Sequence, residues 1–148
     1  MPTGPAQSPI SYATKPPADA GGRAVYLAYA RFNALLASLG IHPDPGNAGI
    51  AELTTGALQH QLVTSERQNV AAARQTYGPV TIAPVVTVRG NSATVVDCTD
   101  ESQQHDYVRG QRQSGAGTTA SYSTQLQQLD GRWVVTGTST GRTTASCS

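Results

Sequence analysis

The sequence GPVTIAPVVTVRGNSATVVDCTDE, residues 78–101, decides the fold because two β-branched segments flank the dipeptide Gly90-Asn91. A Gly-Asn pair between such segments predicts a β-hairpin with a two-residue turn. Side chains alternate along a strand, so we expect Asp97 to point inward and Cys98 outward. The more apolar face of this hairpin, which should meet the core, carries Ile82, Pro84, Val86 and Val88 opposite Thr99, Asp97, Val95 and Ala93.

The composition indicates one domain with a neutral, polar surface. The chain has 148 residues and a net charge of +1, which offers no electrostatic footprint for nucleic acid or an anionic membrane. Charged residues make up 13%, against about 25% in an average soluble domain. No uninterrupted apolar run approaches the roughly 18 residues of a membrane span, and the first 22 residues lack the apolar core of a signal peptide. We therefore expect either a cytosolic protein or the mature portion of an exported one.

The N-terminal part of the chain divides into a tether and an amphipathic helix. Residues 1–22 contain five of the prolines among Ala, Gly and Ser, which predicts a disordered tether before a domain at residues 23–148. From Arg23 the apolar residues recur at three- and four-residue steps, which predicts a helix that stops at Gly40. Its apolar stripe consists of Val25, Ala28, Tyr29, Phe32, Leu35, Leu36 and Leu39.

Further local signals complete the element order. Asn47 can cap a short helix, which precedes a longer helix to about Gln75. Residues 102–118 are polar and predict a long connection with one helical turn around residues 103–107. Asp130-Gly131 is the strongest hairpin signal in the chain. The register of this second hairpin puts Tyr122, Thr124, Leu126 and Gln128 on the core face with Trp133, Val135 and Gly137.

Helical segments followed by two hairpins predict an α+β fold in which the first helix lies on the concave face of a curved antiparallel sheet. The segments AVYLAYARFNALL, ELTTGALQHQL, YGPVTIAPVVT, ATVVDCTD and LDGRWVVTGTSTG, together with a terminal Cys, resemble an actinobacterial group of secreted proteins and lipoproteins. These carry one NTF2-like (SnoaL/ketosteroid-isomerase-like) domain after a Pro/Ala-rich tether and a lipid-modified cysteine. The resemblance covers residues 24–147 and implies a cone-shaped domain outside the cell. The lipid-modified cysteine itself is absent here, and Gln104 stands where the related proteins have an aromatic residue.

The resemblance brings no enzymatic activity, and the residues point to binding. We expect a pocket formed by Tyr29, Phe32, Asp97, Tyr122 and Trp133, without the nucleophile, metal ligands or phosphate loop that would call for a cofactor. The prediction is therefore an exported, non-catalytic cell-envelope domain that binds a small apolar ligand or a protein partner. A lipid anchor upstream would hold it at the outer face of the cytoplasmic membrane. Its Thr- and Gln-rich outer face favours a monomer or weak dimer.

An enzymatic alternative rests on Asp97. As a general base, this carboxylate would abstract a proton beside a carbonyl, while Tyr29 or Tyr122 stabilised the oxyanion. Burial should raise the pKa of the Asp97 carboxyl, as such a base requires. The competing interpretation is structural, because a buried Asp commonly accepts hydrogen bonds from neighbouring donors.

The two cysteines, Cys98 and Cys147, have neither CxxC spacing nor a clustered His, so a disulfide or two unpaired thiols remain. The final strand runs back from Asp130-Gly131 towards the end of the sheet where Cys98 lies. The tail after Gly141 is long enough to bring Cys147 within the roughly 4.4 to 6.8 Å between Cα atoms that a disulfide requires. We therefore predict a Cys98–Cys147 disulfide, which would persist in an oxidising compartment.

Intact mass spectrometry after alkylation, with and without prior reduction, tests this disulfide. We expect no alkylation of the unreduced protein and two alkylated thiols after reduction. Closing a loop of this span stabilises a domain by about 4 kcal/mol in the chain-entropy model, so reduction should also lower the melting temperature. Two alkylated thiols in the unreduced protein would contradict both the bridge and the extracellular location.

Overall fold

The computed structural model describes residues 8–115 and 117–143, which form an α+β fold with two sheets. The larger sheet has five strands in the order β1-β3-β4-β7-β8, and the smaller sheet has the order β2-β5-β6. The elements are β1 (Ile10–Tyr12), α1 (Ala20–Ile41), α2 (Ala48–Leu53), α3 (Gly56–Ala72), β2 (Arg74–Tyr77), β3 (Val80–Arg89), β4 (Ser92–Asp100), β5 (His105–Val108), β6 (Gln111–Arg112), β7 (Thr119–Leu129) and β8 (Arg132–Thr143).

Helix α1 packs its apolar stripe against strands of both sheets. The side chain of Asp19 caps its N-terminus by accepting a hydrogen bond of 2.7 Å from the Gly22 N–H. The stripe was predicted correctly except at Leu36, which is 38% exposed. By length and composition alone α1 could cross a membrane. Its buried residues instead form the core with β3, β4, β7 and β8.

The sequence predicted that α1 stops at Gly40. The helix instead continues to Ile41. The glycine serves a close approach between elements. A Cβ at this position would lie closer than 3.0 Å to the main-chain carbonyl oxygen of Thr76 in β2. Gln75 also donates a hydrogen bond of 2.5 Å to the carbonyl of Ile41. The missing side chain of Gly40 therefore lets the smaller sheet dock against the end of α1.

The first hairpin has the predicted register, with Arg89 opposite Ser92 and Pro84 opposite Asp97. Asp97 is buried and Cys98 on the other face is half-buried, so the predicted alternation is confirmed for both residues.

Helices α2 and α3 are present as predicted, and the side chain of Asn47 caps α2. The predicted end of α3 near Gln75 is wrong, because the helix ends at Ala72 and residues 74–77 form β2.

The second hairpin turns at Asp130-Gly131 as predicted, and Leu126 lies opposite Val135. A β-bulge then interrupts the register, so that Gln125 pairs with Gly137. Gly137 was predicted on the core face, and this is wrong because the extra residue in β8 reverses the alternation. Thr138 takes the inward position opposite Thr124.

Four strands, β1, β2, β5 and β6, were not predicted from the sequence, and β1 and β5 show the reason. Within the supposed tether of residues 1–22, residues 10–12 form β1, which pairs in parallel with β3, and Ser8 is buried. Residues 1–7 lie outside the described part of the chain. The expected helical turn at residues 103–107 is wrong, because residues 105–108 form β5 and pair with β2. In both cases a partner distant in sequence determines the conformation.

The main core lies between α1 and the larger sheet. Tyr29 and Phe32 from α1 meet Val95 of β4, Leu126 of β7 and Val135 of β8 in one buried cluster. The predicted core residue Trp133 is half-buried and packs against the edge of this cluster. A second cluster of Leu35, Leu39 and Ile50 joins α1 to α2.

Two alanine substitutions in α1 test the role of Gly40. Gly40→Ala should destabilise the fold by about 1 to 3 kcal/mol, because the new methyl group meets main chain that cannot rotate away. Gly21→Ala in the same helix has its nearest neighbour at 3.7 Å and should be neutral or stabilising by up to about 1 kcal/mol. Chemical denaturation measures both changes. Equal stability of the two variants would show that the Gly40 contact relaxes without cost.

Candidate functional site

A cavity of about 300 Å³ lies between α1, α3 and the inner face of the larger sheet. Its apolar wall includes Phe32, Leu36, Leu58, Leu62, Val80 and Ile82. Its polar wall includes Asp97, Thr99, Glu101, Gln104, Tyr122 and Thr124. Most of the polar groups come from β4, β7 and the chain that follows β4, so the cavity has one apolar side and one polar side.

Strand alternation places the polar wall. Asp97, Thr99 and Glu101 are separated by two residues each, so their side chains leave β4 and its extension on the same face. Tyr122 of β7 is the cross-strand partner of Asp97. The β-bulge in β8 adds Thr138 to the same wall. The alternation along β4 and the bulge in β8 thus bring these polar side chains to the same wall of the cavity.

Asp97 is held by three donors. The Tyr29 hydroxyl donates to one carboxylate oxygen, and the Thr99 hydroxyl donates to the other at 2.7 Å. The main-chain N–H of Tyr122 also donates to this carboxylate. Burial nevertheless raises the pKa of Asp97 above its usual value, although these hydrogen bonds oppose the shift. Burial and the adjacent carboxylate together raise the pKa of Tyr29 strongly, so this hydroxyl remains a proton donor.

Glu101 forms the second carboxylate of the polar wall. It hydrogen bonds with the Tyr122 hydroxyl, and burial, with a contribution from the negative charge of Asp97, raises its pKa. Burial and the nearby carboxylates raise the pKa of Tyr122 to about 12. The main chain of Glu101 is anchored, since its N–H donates to the Thr118 carbonyl at 3.1 Å and its carbonyl accepts from the Gln104 N–H at 2.9 Å. These two hydrogen bonds hold the main chain from which the Glu101 side chain extends.

Asp100, which lies between Asp97 and Glu101 in the sequence, has a lowered pKa, whereas the pKa values of those two acids are raised. It lies on the exposed face of β4, where the N–H of Ser102 donates to it at 2.9 Å. Hydrogen bonds from Ser102 lower the pKa of Asp100 below its usual value. Burial, rather than proximity in sequence, therefore decides which of the neighbouring acids has a raised pKa.

The charge of the two cavity acids, of which Asp97 is buried and Glu101 half-buried, has no cationic counterpart in the described cavity wall. Within the described ranges, no Lys, Arg or His lines the cavity. The same part of the chain contains no group of three His, Cys, Asp or Glu residues that could hold a metal ion. The cavity thus offers hydrogen-bond acceptors and negative charge beside an apolar wall.

The five predicted pocket residues have different places relative to this cavity. Phe32, Asp97 and Tyr122 line it. Tyr29 is 1% exposed and lies behind the wall, where it contacts Asp97. Trp133 packs at the edge of the core and is not among the lining residues.

The predicted disulfide involves one residue that the structure describes. Cys98 is not a free thiol, and it lies on the face of β4 that points away from the cavity. Cys147 lies outside the described residues, so its pairing with Cys98 stays a prediction.

Glu101, Gln104 and Thr76 line the cavity but were not predicted as site residues from the sequence. The alternation that placed Asp97 inward extends by two steps to Glu101, so that signal was present in the sequence. Gln104 and Thr76 reach the cavity because the smaller sheet docks against α1, and no local pattern predicts this docking. Gln104 also donates to the carbonyl of Gly78 at 3.4 Å.

Comparison with known proteins identifies the fold but no family. No family model matches the chain, and no curated protein matches it. The intermembrane space region of chloroplast protein ARC6 is similar in structure, with a TM-score of 0.56 and 16% identity, over 84% of this chain and 98% of that one. A de novo designed β-sheet protein aligns over 84% of this chain and 87% of the design, with 12% identity and a TM-score of 0.36. The ARC6 likeness supports the α+β fold alone.

Carboxyl-carbon NMR titration tests the electrostatics of the site. We expect Asp97 and Glu101 to titrate above the usual values of about 3.9 and 4.3, and Asp100 to titrate below about 3.9. Acidification from neutral pH should therefore protonate the two cavity acids before Asp100.

The variant Tyr29→Phe provides the internal check. It removes a hydrogen bond that favours the charged form, so the pKa of Asp97 should rise further while that of Asp100 stays the same. A depressed pKa for Asp97 in the parent protein would contradict the buried, desolvated carboxylate and would also remove the basis for a general base.

Proposed function

We propose that this protein is an exported, NTF2-like binding domain whose cavity holds a small, largely apolar ligand. The observation that carries the proposal is the cavity of about 300 Å³ with an apolar wall and a cluster of hydrogen-bonding groups at one end. Ligand pockets typically combine such walls with a few polar groups that orient the ligand. Helix α1 across the inner face of a sheet supports an NTF2-like interpretation, and the sequence resemblance and the low fraction of charged residues support export.

The hydrogen bonds of the polar wall favour binding over catalysis. A general base of the isomerase type needs a carboxylate that can approach the substrate and a separate donor for the oxyanion. Here Tyr29 donates to Asp97, and Tyr122 hydrogen bonds with Glu101. Both hydroxyls proposed for the oxyanion are thus already paired with carboxylates. Three donors also hold Asp97 in place.

A catalytic role remains the second candidate because Asp97 lines the cavity and burial raises its pKa. Its test is deuterium incorporation beside the carbonyl of a cyclic enone in D₂O, followed by proton NMR. Incorporation by the parent protein that Asp97→Asn abolishes would support the base. Equal rates in the two proteins and in buffer alone would rule it out.

Two substitutions on α1 test ligand binding. Ala37 lines the cavity, whereas Ala34 in the same helix is exposed and does not. The neutral fluorophore N-phenyl-1-naphthylamine should bind the parent protein and Ala34→Phe alike. Ala37→Phe should weaken binding at least about tenfold, because the new ring occupies space that the ligand needs.

Fluorescence titration measures these affinities, and circular dichroism melting checks that each variant is folded. Ala34→Phe controls for the added aromatic ring on the same helix. Failure of the parent protein to bind the fluorophore, or equal affinity in all three proteins, would contradict a ligand cavity at this position.

A further inference from the structure

The two carboxylates of the cavity differ in how many donors they already have. Asp97 accepts from the Tyr29 and Thr99 hydroxyls and from the main chain of Tyr122. Glu101 pairs with the Tyr122 hydroxyl. A carboxylate has about four lone-pair sites, so Glu101 keeps more of its accepting capacity for a ligand.

The lack of a cationic side chain in the described cavity wall determines which charge a ligand group beside Glu101 should carry. The cavity wall, as far as the structure describes it, contains no cationic side chain near the two acids. A ligand carboxylate or phosphate placed here would face two negative charges in a partly desolvated site. A ligand ammonium group would instead supply the opposite charge and up to three hydrogen-bond donors.

The shape of the cavity supplies the second requirement. Phe32, Leu58 and Ile82 form part of the apolar wall, and all three are buried. Such a wall favours a hydrocarbon or aromatic body, since burying apolar surface is favourable in proportion to its area. The ligand therefore needs an apolar body and a donating, positively charged end.

We propose that the cavity selects small apolar amines, with the ligand ammonium bound by Glu101 and its apolar body against the wall formed by α1, α3 and β3. This inference rests on the proposed binding function and adds the ligand class and the residue that determines it. Asp97 contributes further negative charge to the same wall, while its own hydrogen bonds keep it in place. The chain's net charge of +1 provides no general electrostatic attraction for amines, so the preference is assigned to the acids of the site.

Three ligands with the same phenylbutyl body test the proposal. 4-Phenylbutylamine, 4-phenylbutan-1-ol and 4-phenylbutanoate differ only in the charge and donors of the polar end. Isothermal titration calorimetry at pH 7 on the full chain should give at least tenfold tighter binding of the amine than of the alcohol. The carboxylate should bind more weakly than the alcohol.

Matched variants assign the preference to one residue. Glu101→Gln keeps the shape of the side chain but removes its charge, and it should reduce the affinity for the amine to about that for the alcohol. Glu52→Gln removes an equal charge from an exposed position on α2 and should behave like the parent protein. Glu101→Asp keeps the negative charge on a shorter side chain and should still bind the amine more tightly than the alcohol, which keeps the test decisive if Glu101→Gln fails to fold.

The outcomes separate this inference from the function on which it rests. Equal affinities of the three ligands in the parent protein would overturn amine selectivity. An unchanged preference in folded Glu101→Gln, or no preference in folded Glu101→Asp, would overturn the role of Glu101. If none of the three ligands binds while N-phenyl-1-naphthylamine does, only the amine inference fails. If the fluorophore does not bind either, the proposed binding function fails as well.

Discussion

The hydrogen bond between Tyr29 and Asp97 joins the long helix to the centre of the larger sheet, and the candidate site depends on it. Tyr29 and Asp97 are 1% and 6% exposed, so both partners of this hydrogen bond are largely removed from bulk solvent. Leaving one of two such buried partners unpaired costs about 1 to 3 kcal/mol. This contact orients α1 over β4, and the space left beside it becomes the cavity.

The two acids of the polar wall make the stability of the fold depend on pH. Burial raises the pKa of both Asp97 and Glu101 in the folded state. A raised folded-state pKa means that folding favours the protonated form, so the contribution of these acids to stability is fully present below the unfolded-state pKa. That contribution is lost as pH rises through the folded-state pKa. Neutral side chains would avoid this cost, and an amine ligand would offset it.

Much of the fold follows from local patterns in the chain. The turn at Gly90-Asn91, the turn at Asp130-Gly131 and the helical stripe each depend on neighbouring residues, and the structure confirms all three. The errors concern pairing between distant segments. β1 and β5 lack strong strand signals and become strands because β3 and β2 offer free edges. The β-bulge in β8 lies next to Gly137, and a glycine inside a strand often marks a bulge, but the alternating pattern alone does not place the extra residue.

The same division holds for the candidate site. By itself, the sequence determined that Asp97 points inward and Cys98 outward, because alternation along a strand needs only the turn and the apolar pattern. The packing of the elements brings Tyr29 to Asp97, leaves Trp133 packed against the core cluster, and adds Thr76 and Gln104 to the cavity lining. The physical reason is that a periodic pattern specifies the face of one element. Contact between elements depends on where the helix and the second sheet pack, which no single segment encodes.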